Sequence, residues 1–541
     1  MASMPALAPI GQAGFDEMGF PGGPTRDHWR GFLESLQQLG RSELASRWEN
    51  AQRIIREHGV TYNVYGDSQG MDRPWGLDLV PMIMSGVEWA GIEAGLEQRS
   101  RLFNLVLADL YGGAQHLLRD GILPPELVYA NSGFLRACRG IPVAKEVYLH
   151  LHACDLARSH DGKWWVLADR TQAPSGAGYA LENRSVISRV LPDQLRECGV
   201  RRLPDFFRRQ REMLFQLAPE GRLSPNVVLL TPGPHNETYF EHAYLARSLG
   251  FTLVEGEDLT VRDRKVFLKT LEGLQQVDVI LRRVDDSFCD PLELRSDSFL
   301  GVAGLVEATR AGNVTVANAM GSGLLEAPAF MAFMGALCRH LLGEDLLLPS
   351  VATWWCGQAR ELRYVIEHLD SLVIKPAFGV SNRHAFFGGT RTIAERQKLA
   401  EMILASPREY VGQERASLSR APVWTDGTFE NRSVVLRSYV ANGGDQVAVM
   451  PGGLTRVAQA LGDPIVSMQS GGGSKDTWVL FHRESDSPEP SSVAVEPKTV
   501  ERISSGVPSR AADNLSMSTT LGSFSDHLNR RYFNHSLPRV S

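Results

Sequence analysis

Cysteine is scarce and unpatterned. The six residues Cys138, Cys154, Cys198, Cys289, Cys338 and Cys356 form no CxxC pair, which fits reduced structural thiols better than a disulfide framework or a zinc knuckle. No run approaches the ~18 uninterrupted apolar residues of a membrane span. The opening MASMPALAPIGQAGFDEMGFPGG lacks the charged-then-apolar order of a secretory signal, so a cytoplasmic, bacterial-type protein is expected. Excess positive charge is missing too: 56 Lys plus Arg against 62 Asp plus Glu leave a net charge of -6, which offers nucleic acid or an anionic membrane no general attraction. No GxGxxG follows an apolar strand run, no GxxxxGK[ST] loop occurs, and no serine or cysteine has a sequence context that marks it as an activated nucleophile.

What is present is a globular composition, 43% hydrophobic and 22% charged over 541 residues, enough chain for three or four structural units. Residues 1–25, rich in Gly, Pro and Ala, read as a flexible arm, and Thr25-Arg26-Asp27-His28-Trp29 opens a region (26–145) dominated by helices. In 146–222, two strand runs, Val147 to His152 and Trp164 to Asp169, flank the hairpin turn His160-Asp161-Gly162-Lys163. Residues 223–348 alternate strands (Val227 to Leu230, Phe251 to Val254, Val277 to Leu281, Asn313 to Ala317) with helices such as Asn236 to Leu249, the pattern of a parallel α/β sheet. A unit at 349–482 mixes strands with Gly-rich turns. The Ser- and Pro-rich stretch 483–507 reads as a linker, and 508–541 shows no sustained amphipathic period.

Several residues can carry chemistry. Lys375 ends the apolar strand Leu372-Val373-Ile374, and a lysine held at a strand end can meet phosphate oxygens as a point charge. An edge lysine protecting a sheet explains it equally well. Gln413 and Glu414 end another apolar run, where an amide and a carboxylate can bond an adenine edge and ribose hydroxyls, or simply solvate a strand end. The glycine loops Pro451 to Arg456 and Ser470 to Asp476 bring backbone N–H groups beside Arg456 and Lys475, although most such loops are ordinary turns. Asp155 and Asp169 share the hairpin; paired carboxylates facing a phosphate would hold Mg²⁺, and the alternative is two turn aspartates. His235 and His242 have no third ligand nearby and read as structural.

Jointly, Tyr62-Asn63-Val64-Tyr65, Gln98-Arg99, Pro174-Ser175-Gly176, Leu181-Glu182-Asn183-Arg184, Asp290-Pro291-Leu292, Leu372 to Pro376, Gln413-Glu414, Pro451 to Arg456 and Lys475-Asp476-Thr477-Trp478 resemble the circularly permuted ATP-grasp family, type 2, similar to glutathionylspermidine synthase-like carboxylate-amine ligases. The resemblance spans about residues 15 to 482 and implies an α/β fold, a circularly permuted ATP-grasp with a Rossmann-like pre-ATP-grasp domain at 223–348, the permuted hairpin at 146–222 and the nucleotide-binding region at 349–482. It implies ATP as cofactor and amide formation through an acylphosphate. By the same resemblance Lys375 contacts phosphate, Gln413 and Glu414 line the nucleotide pocket, Arg437 sits near the transferring phosphate, and Asp155 and Asp169 belong to the metal site. Residues 508–541 are similar to a truncated alpha-E domain. The implied partners are an alpha-E domain protein, a transglutaminase-like protein and a small-molecule or peptide substrate, with no nucleic acid and no membrane.

The chain departs from the active pattern. Where active relatives carry Glu-Asp-Asn, it has Ala168-Asp169-Arg170; the glycine-rich phosphate loop reads Gly379-Val380-Ser381-Asn382-Arg383; and Glu326-Ala327-Pro328 replaces Asp-Asp-Lys. A guanidinium 4 Å from Mg²⁺ is repelled by about 8 kcal/mol at an effective dielectric of 20. The expectation is therefore a catalytically degenerate ATP-grasp protein of a peptide synthesis or modification system, binding a nucleotide weakly or not at all: either the site is dead, or Arg170 neutralises phosphate in place of the metal. An active ligase with a rearranged site is the alternative.

Overall fold

The helix Asp27–Glu57 begins where the sequence places it and buries Trp29, Phe32, Leu36 and Leu44 along one face. The structure, a computed structural model, describes residues 14–19, 23–62, 73–222, 224–378, 385–425, 427–463, 466, 468–469 and 471–481. The linker at 483–507, the tail at 508–541, most of the arm, Asn63-Val64-Tyr65 and the loop Gly379 to Arg383 lie outside the described residues. Among the described residues, no helix is long and apolar enough to cross a membrane.

The largest sheet has eight strands drawn from opposite ends of the sequence. Its order runs Leu77–Met84, Gly473–Val479, Leu454–Val457, Thr428–Asn442, Leu151–Arg158, Trp164–Arg170, and Arg420–Thr425 and Val447–Val449 also pair with the long strand Thr428–Asn442. Leu77–Met84 is a strand within the region 26–145 that the sequence reads as dominated by helices. It is buried at every position, so it has no alternation to read, and Pro81 falls where its pairing with Gly473–Val479 shifts register. The hairpin forms around its Asp-Gly turn, but its first strand starts at Leu151 rather than Val147, so Asp155 lies within the strand and not after it.

The expected α/β unit is present as a four-stranded, wholly parallel sheet in the order Thr315–Ala317, Val279–Arg282, Val227–Leu230, Thr252–Val254. The helix crossing from Val227–Leu230 to Thr252–Val254 begins at Tyr239 instead of Asn236, because the Asn236 side chain accepts the Thr238 N–H at 3.0 Å and turns the chain first. A small antiparallel sheet, Leu259–Arg262, Lys265–Thr270 and Gly273–Gln276, interrupts the alternation. The 349–482 stretch divides: Thr353–Trp355, Tyr410–Glu414, Leu372–Pro376 and Phe386–Phe387 form their own antiparallel sheet, packed over Val365, Leu399 and Ile403, while the strands from Arg420 onward complete the large sheet.

One side chain joins the parallel sheet to the hairpin. Asn318, just past Thr315–Ala317, accepts the N–H groups of His150 (2.8 Å) and Leu151 (2.7 Å) and donates to the carbonyls of Leu151 (2.7 Å) and Thr171 (2.8 Å). Both hairpin strands are thereby anchored at the ends that border the cleft described next.

Candidate functional site

Antiparallel register places Asp155 opposite Arg437 on one side and Ala168 on the other. Because side chains alternate across a strand, Asp155, Arg170 and Arg437 share one face of the sheet. Arg437 donates to the two Asp155 oxygens at 2.7 and 3.0 Å, Arg456 donates at 2.6 Å, and Arg170 completes the ring at 3.5 Å. Burial alone would raise the Asp155 pKa, but Arg437, Arg456 and Arg170 together hold it far below the usual carboxylate range. The Asp155 carboxylate in turn pushes Arg437 up against its own burial. Arg170, with a side chain 40% exposed against 6% for Asp155, is the member of the ring that faces solvent.

Lys375 stands at the end of Leu372–Pro376, and its ammonium donates to the side-chain carbonyl of buried Gln413. Gln413 is itself fixed by donating to Thr353 Oγ1 at 3.1 Å. Burial, and then repulsion from Arg170, lower the Lys375 pKa to about 8, while Asp155 opposes the shift. The ammonium thus belongs to the same electrostatic cluster as the arginine ring. Glu414 does not: the strand alternates at that position and leaves its side chain exposed.

Asp169 turns to the opposite face. It pairs in register with Cys154 and accepts both arms of the Arg99 guanidinium at 2.6 Å each, with His152 at 3.1 Å and the Cys154 thiol at 3.2 Å. The spacing suggests two carboxylates at one metal; the register separates them. His152, Cys154 and Asp169 cluster as metal-type donors, yet Arg99 occupies both Asp169 oxygens. On the other face, Asp155 is ringed by three guanidiniums, a donor set that does not fit Mg²⁺, which needs carboxylate oxygens in near-octahedral geometry. Four cations around one carboxylate do fit a polyphosphate, which Lys375 and the solvent-facing Arg170 would hold first.

The segment Pro174-Ser175-Gly176 closes the cleft. Buried Glu241 accepts the N–H groups of Gly176 (2.7 Å) and Gly178 (2.9 Å), while Arg437 and Tyr439 donate to the Ser175 carbonyl at 3.1 and 3.0 Å. Gly176 has φ 111°, and a Cβ there would stand 2.1 Å from the Tyr439 hydroxyl, so glycine is required. Beyond lies a cavity of about 240 Å³, lined by Arg170, Arg437 and Arg456 and by the aromatic residues Tyr62, Trp75 and Tyr179. The rings of Trp75 and Tyr179 stack at 4.0 Å.

The two glycine loops differ from an anion cradle. A Cβ on Gly453 would lie 2.0 Å from the Arg437 carbonyl, so this loop serves close packing, and Arg456 is its contribution to the cleft. Lys475 is wholly buried, paired with Asp78 and bonded to the carbonyls of Val80 (2.9 Å) and Pro422 (2.6 Å). His242 sits between the hydroxyls of Thr231 (2.9 Å) and Thr238 (3.2 Å), a structural histidine as read. Glu326, at the altered Asp-Asp-Lys position, accepts the N–H groups of Thr171 and Gln172 at 2.7 Å each and so holds the chain just after Arg170. Glu241 escapes a sequence reading of the site, and Arg99 and Glu326 enter it only through the resemblance, with no sign of what each one holds; of the two arginines in the helix Gly86–Gly112, it is the fully buried Arg99 that needs a buried partner.

A family model described as circularly permuted ATP-grasp type 2 matches residues 81–458. An uncharacterised protein of Synechocystis sp. is 41% identical over 466 residues, covering 86% of this chain and 97% of that protein. An uncharacterised protein of Mycobacterium tuberculosis is 40% identical over 471 residues, covering 87% and 85% respectively. Among solved structures, a glutathione synthetase-like effector from Globodera pallida in its apo form aligns with a TM-score of 0.53 at 11% identity, covering 82% of this chain and 98% of that one, a likeness of fold.

Proposed function

The chain belongs to the circularly permuted ATP-grasp type 2 family, and from that premise we propose that it binds a nucleotide polyphosphate such as ATP without a divalent cation and is catalytically degenerate as a ligase. Lys375 and Gln413 hold one end of the ligand, and Arg170, Arg437 and Arg456 neutralise phosphate charge in place of the metal. The observation that carries this reading is the ring of three guanidiniums on Asp155, together with the engagement of Asp169 by Arg99 on the other side of the sheet. ATP, when bound in an active ligase of this fold, supplies the phosphoryl group that activates a carboxylate toward an amine. The proposal extends to a role as a binding or scaffold partner in a peptide synthesis or modification system, beside an alpha-E domain protein and a transglutaminase-like protein.

A second reading, an active carboxylate-amine ligase, draws on Asp155 still standing on the face that Lys375 senses. Calorimetry with ATP, with and without Mg²⁺, separates the two. The first reading expects binding that Mg²⁺ does not strengthen and no release of ADP. Tight, Mg²⁺-dependent binding accompanied by ADP release establishes the second.

A further inference from the structure

The small antiparallel sheet that carries Lys375 is tied to the hairpin by one line of hydrogen bonds. In the hairpin strand Trp164–Arg170, the Val166 carbonyl accepts the Val351 N–H at 3.0 Å, and the Val351 carbonyl accepts the Thr353 hydroxyl at 2.9 Å. Thr353 stands opposite Gln413 in register, and Gln413 Nε2 donates to the Thr353 oxygen at 3.1 Å. The Gln413 side-chain oxygen in turn accepts the Lys375 ammonium. Val373, opposite Gln413 on its other side, lies two positions before Lys375, so strand alternation puts Thr353, Gln413 and Lys375 on one face of the sheet.

The donors and acceptors along this line fix which way the Gln413 amide points. A hydroxyl has one proton, and Thr353 spends it on the Val351 carbonyl, so toward Gln413 it can only accept. The amide must therefore turn its NH2 to Thr353 and its oxygen to Lys375; the flipped amide would set N–H groups against an ammonium. The other contact of Nε2 is Met331 Sδ at 3.5 Å, and the residue is only 3% exposed. Both amide protons are thus engaged within the protein, and neither is left to read the edge of a base. Lys375 has three protons, and the Gln413 oxygen takes one of them.

We infer, resting on the reading of Lys375 as the cation that meets phosphate, that Gln413 and Thr353 are positioning residues for its ammonium and do not read a nucleobase. Thr353 selects the amide face, and Gln413 meets the ligand only through Lys375. The link at Val351 sets Lys375 against the hairpin that bears Arg170 and Asp155. Those two are also the charges that act on the ammonium, Arg170 by repulsion and Asp155 by attraction.

The test uses the full chain in two arms. In the first, without nucleotide, Lys375 is labelled with acetic anhydride between about pH 6 and pH 10, and mass spectrometry follows the fraction of neutral amine. Thr353→Val should lower the midpoint by about half a pH unit, the worth of a weakened hydrogen bond to the charged form. Thr353→Ser, which keeps the hydroxyl, should restore it. Gln413→Glu, which places a carboxylate where the amide oxygen stands, should raise the midpoint by about one unit; a loss of packing alone produces no such rise. In the second arm, ATP and inorganic tripolyphosphate are titrated without Mg²⁺. Gln413→Met should weaken both by the same factor, about fivefold, because only the ammonium is disturbed. A midpoint that Thr353→Val leaves in place, or a Gln413→Met variant that weakens ATP and spares tripolyphosphate, overturns the inference. If the native chain binds neither ligand, the polyphosphate reading fails instead, and the labelling arm still decides whether Thr353 and Gln413 hold Lys375.

Discussion

Asp155 and Arg437 face each other directly across two antiparallel strands, and the guanidinium spans both carboxylate oxygens at 2.7 and 3.0 Å. The carboxylate therefore occupies the position an anionic ligand would seek. Asp155→Asn should lower unfolding stability by about 3 kcal/mol, since it strands partly buried guanidiniums without their counter-charge. The same variant should gain more thermal stability from added sulfate than the native chain does. Urea denaturation and melting curves at several sulfate concentrations check both halves; equal sulfate response would mean that the arginines cannot leave Asp155 for a ligand.

Arg170 is the exposed member of the ring. Arg170→Ala should weaken Mg²⁺-free ATP binding by about tenfold, while stability changes by less than ~0.5 kcal/mol because the ion pair is long and solvated. Calorimetric titration of the variant without Mg²⁺ decides it, and unchanged affinity removes Arg170 from the site.

Burial and Arg170 lower the Lys375 pKa to about 8, so the proposed phosphate binding should be pH-dependent just above neutrality. Its cationic form is the one that attracts phosphate, so affinity should fall as pH rises from 7 to 9. Lys375→Arg keeps its charge through that range and should flatten the profile. Affinity measured at half-unit pH steps for both proteins is the readout.

Asp169 gives an acid limb to stability. Burial raises its pKa, but the paired Arg99 overrides this and holds the group well below the ordinary carboxylate value. A carboxylate whose pKa falls on folding contributes stability that is complete above its unfolded value, near 4, and is lost as pH falls below it toward the folded value. Asp169→Asn should therefore flatten the stability curve below about pH 4. Arg99→Ala, which leaves that carboxylate buried and unpaired, should cost about 3–5 kcal/mol at neutral pH. Chemical denaturation between pH 3 and pH 7 measures both effects.

Local chemistry made much of this legible. The Asp-Gly turn announced the hairpin, strand and helix alternation announced the parallel sheet, and the Ile374-Lys375-Pro376 ending placed the ammonium at the cleft. What failed to show was decided by facing and register. Gln413 and Glu414 are adjacent in sequence yet turn to opposite faces, and Asp169 was separated from Asp155 by pairing with Cys154. Leu77–Met84 was hidden because burial on both faces erases the two-residue period. The buried pairing of Lys475 has no local signal, because its partner, Asp78, is almost 400 residues away.

The large sheet has a consequence for how the molecule is made. Leu151–Arg158 pairs with its hairpin mate Trp164–Arg170 on one edge but with Thr428–Asn442 on the other, and among the described residues Leu77–Met84 pairs only with Gly473–Val479. On a ribosome working from the N-terminus, Leu77–Met84 and Leu151–Arg158 emerge hundreds of codons before these later mates, with long loops to close before those pairings are rewarded. Nascent chains released short of Thr428 would carry Asp155 with none of Arg437 or Arg456 to meet it. The arginine-lined cleft is thus among the last features of the molecule to come into existence.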